Sequence, residues 1–123
     1  MTLNDSVGVK HLGTISDPIP LESTHDDVSA PVAGWVQVGS IEGAAVGIWE
    51  HSVGTSGDVE EDEVFVVLSG RATVTEEGCD PVDFGPGDIG HLTAGTRTTW
   101  VVHETLRKIW VAPDDNSSGN EDG

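Results

Sequence analysis

The chain has 123 residues, enough for one domain that buries its own core without disulfide or metal staples. Five Lys and Arg stand against 22 Asp and Glu, and the formal charge of -17 excludes nucleic acid and anionic membranes as partners, because phosphate binding rests on cationic side chains. A lone cysteine, Cys79, excludes an intrachain disulfide, and the longest apolar run, Val64 to Leu68, is far too short to span a membrane.

Sixteen Gly and six Pro with 36% apolar residues predict a turn-rich all-β protein. The first residues, Met1 to Asp5, carry no basic leader, so the expected location is the cytoplasm. Residues 1–30 hold short apolar pieces (Val7, Val9, Ile15, Ile19, Leu21) broken by Pro18, Pro20 and Asp26-Asp27. They predict an irregular arm with one short strand, packed outside the domain or on a partner. From residue 31 to 112, strands and turns alternate at short intervals. Trp35 is expected to be a core or interface aromatic, and Gly43 to Trp49 is an apolar strand ended by a break at Gly54 to Gly57.

Val64 to Leu68 is apolar on both faces, with Phe65 and Val67 on the side of Glu63 and Val64, Val66 and Leu68 opposite. Such a strand needs cover on each side. Arg71 to Thr75 alternates with Ala72 and Val74 inward, and Glu77-Gly78 reads as a hairpin tip. Asp88 is expected to brace its own turn through side-chain to backbone hydrogen bonds. Arg97 to His103 and Leu106 to Val111 read as two strands of a hairpin turning near Glu104-Thr105. Residues 113–123, with eleven positions and nothing apolar after Pro113, read as a disordered acidic tail. The acid run from Asp58 to Asp62, flanked by Gly, reads as solvated charge. The overall acidity fits solubility or salt adaptation, with a docking surface for a basic partner as the alternative.

Glu63 to Gly70, Phe84-Gly-Pro-Gly-Asp88, Thr93-Ala94-Gly95, Ile48-Trp49-Glu50 and Trp100 to Trp110 occur in an order and spacing that resembles the cupins, within them the single-domain ureidoglycine aminohydrolase-type group. The resemblance implies a jelly-roll barrel (a double-stranded β-helix), often dimeric, with a pocket at its wider mouth. It also implies a metal site of three His and a Glu. Of those ligands only Glu63 remains: the two preceding His places fall in Ser56-Gly57-Asp58-Val59, and the third holds Thr98. No metal or other cofactor is therefore expected.

Strand phase puts Glu63 in the pocket beside Phe65, where a carboxylate needs a cation to stay charged. Lys108 is the candidate cation; Thr98, Trp100 and Trp110 share its alternation, although Ile109 and Val111 would also suit an interior face. The other reading leaves Lys108 at the sheet edge with its ammonium in water. Trp49 is a candidate wall. His51 and His91 are weaker candidates, since a lone strand histidine is usually a structural hydrogen-bonding residue. Cys79 lies among Glu76, Glu77 and Asp80, which disfavour a thiolate nucleophile, and no catalytic residue is assigned. The expected function is binding of a small polar metabolite, an amine, amide or ureide, by a homodimer whose Val64-Val66-Leu68 face is covered. A metal-dependent ureidoglycine aminohydrolase-like enzyme and a non-catalytic interaction module are the alternatives.

Overall fold

The computed structural model describes residues 8–25 and 29–114. Every regular element among them is a strand: β1 (Glu22–Ser23), β2 (Val32–Ile41), β3 (Ala44–His51), β4 (Gly54–Val59), β5 (Glu63–Glu76), β6 (Val82–Phe84), β7 (Ile89–Leu92) and β8 (Arg97–Pro113). All pairings are antiparallel, in the order β1-β2-β3-β8-β5-β6, with β4 added to β8 and β7 to β5. The architecture is the all-β jelly roll that the cupin resemblance implies.

Two long strands close it. β5 has 14 residues and β8 has 17, and they pair along most of their length. The first part of β8 (97–102) pairs with β4, and its second part (106–113) pairs with β3, so one strand serves both walls. Register shifts between Val67 and Ala72 mark the bend. Gly70 sits there with φ +90°, and a Cβ on it would overlap the Thr105 carbonyl, so only glycine fits this crossing.

Two sequence expectations fail at this point. Glu104-Thr105 is no hairpin turn; β8 runs through it without reversing. The Gly54 to Gly57 break is strand β4, whose backbone groups are satisfied by pairing with β8 in spite of its glycines.

The core follows the predicted alternation. Phe65, Val67, Ala72 and Val74 of β5 meet Leu92, Trp100, Val102 and Leu106, all buried. Side chains of this size contribute about 1.5–3 kcal/mol each when fully buried. The opposite face of β5 is not dry within one chain, since Val64 is 44% exposed. The turn after β6 is braced as expected: Asp88 Oδ2 accepts from Gly85 N at 2.8 Å.

The N-terminal arm packs on the outside of the barrel and, among the described residues, forms one short strand, β1, against β2. Arg107 clamps it, donating from Nη1 to the carbonyls of Ile15 (2.6 Å) and Asp17 (2.7 Å) while Nε and Nη2 hold Glu50 Oε1. Ile19, within the arm, is buried. Residues 1–7 and 26–28 of the arm, and 115–123 of the acidic tail, lie outside the described residues; Pro113 ends β8.

Candidate functional site

Register across β2, β3, β8 and β5 builds one wall of a cavity. Trp35 faces Trp49, Trp49 faces Lys108, and Lys108 faces Val67. In the next inward row Gln37 faces Gly47, Gly47 faces Trp110, and Trp110 faces Phe65. Gly47 is small for a reason: a Cβ there would overlap the Trp110 ring and the Val36 carbonyl oxygen. The acid segment 58–63 forms the facing rim. Together these enclose a cavity of about 720 Å³ that opens to solvent, within the range of small-molecule sites. All four tryptophans of the chain line it.

Lys108 lies on its floor and only 3% of the residue is exposed. Its Nζ is 2.6 Å from Glu63 Oε2 and sits 4.4–4.8 Å from the ring centroids of Phe65, Trp49 and Trp100. Three aromatic faces and one carboxylate thus surround an ammonium. Burial pushes the Lys108 ammonium below the ordinary lysine range; the Glu63 carboxylate, then Glu60 and Asp58, pull it back up. The Lys108–Glu63 contact is a buried ion pair in which Lys108 Nζ is the partner of Glu63 Oε2. The pocket placement of Lys108 holds over the sheet-edge alternative; its neighbour Arg107 is the cation that points outward.

Glu60 is the residue that sequence reasoning missed. It is 7% exposed, not part of a solvated run. Its Oε2 accepts from Thr98 Oγ1 at 2.6 Å and from Trp100 Nε1 at 2.8 Å. The turn at Thr93-Ala94-Gly95 pins the segment: Gly95 N donates to Glu60 O (2.8 Å), Glu60 N to Thr96 O (2.8 Å), and Ala94 N to Asp62 Oδ1 (2.8 Å). Thr98 therefore holds Glu60 and orients Trp100; it does not line the main cavity. At the rim, partial desolvation and then the Glu60 carboxylate push the Asp58 carboxyl above the usual range.

The remaining candidates divide. Trp49, Trp100, Lys108, Trp110 and Glu63 line the cavity, and Phe65 lies beneath Lys108. Trp35, expected in a core or interface, is 62% exposed and stands edge-on to Trp110, ring centroids 5.9 Å apart. His91 is exposed on β7 and lines a separate depression of about 180 Å³ near Cys79; it has no part in the site. His51 is buried behind Trp49, its Nδ1–H donating to Ser52 O (2.6 Å) and its Nε2 accepting from Ser56 Oγ (2.7 Å) in the neutral ring.

Desolvation lowers the His51 imidazole from its usual range, against a smaller opposing effect of the Ser52 carbonyl. Its contribution to stability is complete above the unfolded-state value near 6.5 and is lost as pH falls toward the folded-state value, because the unfolded chain takes up the proton first. Wild type is expected to lose more melting temperature between neutral and mildly acid pH than His51→Gln does; parallel profiles would show that His51 titrates alike in both states.

Residues 39–110 match the model of the EutQ-like cupin domain. The chain belongs to the cupins. Among solved structures, this cupin is similar to a protein of unknown function from Rhizobium leguminosarum bv. viciae 3841, with 27% identity and a TM-score of 0.60 over 67% of this chain and 82% of that one. It is also similar to the Clostridium difficile EutQ protein (21% identity, TM-score 0.61, 69% and 71% covered). A putative ethanolamine utilization protein Q from Salmonella typhimurium LT2 matches at 18% identity and TM-score 0.58, covering 82% of this chain and 98% of that one. Comparison with curated proteins returns no match.

The metal that the cupin resemblance implies does not fit these residues. Among the described residues no three His, Cys, Asp or Glu side chains converge in a way that would hold an ion. Glu63, the one ligand position retained, is faced by the Lys108 ammonium instead. Among the described residues, no helix is long and apolar enough to cross a membrane.

Proposed function

We propose that this cupin binds a small polar metabolite, an amine, amide or ureide, at the mouth of its barrel. Glu63 and Lys108 act as the charged anchors and the tryptophans as walls. The observation that carries this reading is the buried ion pair on the floor of an open cavity lined by tryptophans. A carboxylate and an ammonium set together at the base of an open cavity offer a ligand an acceptor and a donor at one place. The ureidoglycine aminohydrolase-type reading needs a divalent metal, and the donor set described above argues against it. Thermal-shift screening of ureides, amides and amines, run beside elemental analysis of untagged protein, tests both. Stabilisation by one of these classes without stoichiometric metal is expected. One transition metal per chain would favour the enzyme, and a cavity inert to every class would overturn the binding reading.

We also propose a homodimer. On the outer face Val46, Val111 and Val64 lie in one cross-strand row, and Ile48, Ile109, Val66 and Ile89 in the next. Ile48 is buried, whereas Ile89 stays 69% exposed. An apolar sheet face of this kind favours a second copy. Light scattering at moderate salt, which screens the repulsion between two acidic chains, is expected to give twice the chain mass; a monomer mass over a wide concentration range would sink the idea.

A further inference from the structure

We infer that the cavity selects an organic cation, an alkylammonium group on a short carbon skeleton, whose charged head seats at the rim between Trp35, Trp110 and the carboxylates of Asp58 and Glu61. The inference rests on the reading that the cavity is a ligand site, and it chooses among the polar classes named there.

Three observations carry it. Charge is the first: five carboxylates (Asp58, Glu60, Glu61, Asp62, Glu63) line the cavity and face one ammonium, Lys108. A carboxylate ligand drawn to Lys108 would have to displace Glu63 and enter against the other four, whereas a cation is attracted by the surplus. The second is aromatic. Every tryptophan in the chain lines this one cavity. An indole face binds a cation through its quadrupole and accepts methyl or methylene groups around the charge, which suits an alkylammonium better than a bare metal ion. The third is internal to the chain. Lys108 is itself an alkylammonium held between Phe65, Trp49, Trp100 and Glu63, so the floor already displays the chemistry that this lining stabilises.

The floor cage is filled by Lys108, and the rim is not. Trp35 is 62% exposed and stands edge-on to Trp110, an arrangement that spends a large apolar ring on solvent unless something covers it. Asp58, Glu61 and Asp62 are exposed alongside. A ligand that places its cation here reaches down toward the Glu63–Lys108 pair with a polar group on its other end. That division also explains the two tiers of acids. Glu60 is consumed in holding Thr98 and Trp100, while the rim acids have no comparable buried duty.

Isothermal titration calorimetry at fixed moderate salt tests the inference with four probes: choline, n-butylammonium, butyrate, and 3,3-dimethylbutan-1-ol, the neutral isostere of choline. At least one cation is expected to bind about tenfold more tightly than the neutral isostere, with butyrate weaker still. Trp35→Ala and Asp58→Asn, both at exposed positions that the core does not need, are each expected to weaken that cation severalfold. Glu104→Gln, a charge change on β8 outside the cavity, is expected to change nothing, which separates the site from the general field of an acidic protein. Equal binding of choline and its isostere, preference for butyrate, or cation binding that ignores Trp35→Ala would overturn the inference. Binding of a neutral ureide or amide that depends on Lys108, without any preference for cations, would overturn it while leaving the ligand-site reading intact. Absence of binding by every probe and by the screened metabolites would sink both.

Discussion

Lys108→Met is expected to weaken binding of a ligand that uses the Glu63–Lys108 pair by about thirtyfold or more while the barrel still folds. Truncating one member of a buried, paired charge costs about 2–5 kcal/mol of binding where the ligand uses that pair. Lys108 is 3% exposed and touches three aromatic rings, so methionine fills its volume with little strain. Charge is what changes. Glu63, Glu60 and Asp58 are left facing one another without a cation. Breaking a buried pair from one side destabilises by about 3–5 kcal/mol, and the open side of the cavity puts this case at the lower end. The destabilisation is expected to shrink as pH falls, since protons then replace the missing ammonium. Urea unfolding at two pH values, with calorimetry on the ligand found by screening, measures both effects. Wild-type affinity in Lys108→Met would show that Glu63 and Lys108 are a structural pair alone.

Gly47→Val is expected to close the cavity from within. The added Cβ meets the Trp110 ring on one side and the Val36 carbonyl oxygen on the other. The carbonyl belongs to the β2–β3 ladder and cannot yield without breaking register. Trp110 must therefore rotate, and the free space beside it is the cavity. Overpacking of this kind costs about 1–3 kcal/mol, and valine's preference for strands is too weak to offset it. Gly47→Val is thus expected to lower the melting temperature and to abolish binding together, with Gly47→Ala intermediate. A variant that kept both native stability and native affinity would mean that Trp110 has room elsewhere and does not shape the site.

The barrel was legible because its signals are local. Alternation in β5 gave the inward face from Phe65 to Val74, and the glycine and Asp88 turn chemistry gave the strand ends. Strand phase turns Glu63 inward but leaves Lys108 open between cavity and sheet edge, because Ile109 and Val111 suit an interior face as well. What failed depends on partners far along the chain. Glu60 has acidic sequence neighbours and looks solvated, but its donors lie 38 and 40 residues away. Glu104-Thr105 resembles a polar turn, yet opposite it Gly70 lets β5 and β8 cross closely and keep pairing. Of the core or interface places expected for Trp35, its exposure excludes the core, and nothing local says that its face opens onto a cavity instead of a packed layer. Thr98 was placed on the correct face with the wrong task, since its bond to Glu60 cannot be read until the acid segment is known to fold inward.

The clustering of tryptophan has an optical consequence. The chain has four Trp and no Tyr, and every Trp lines the same cavity. Emission excited at the indole band therefore comes entirely from the walls of the site, with no background from elsewhere in the fold. The four are not equivalent reporters. Trp35 is open to solvent, while Trp100 is buried and hydrogen-bonded to a carboxylate. A ligand at the rim should shift the red-emitting population and leave the blue one in place, whereas rearrangement of the floor should do the reverse. The unlabelled protein thus distinguishes, by colour alone, which tier of its site has been occupied.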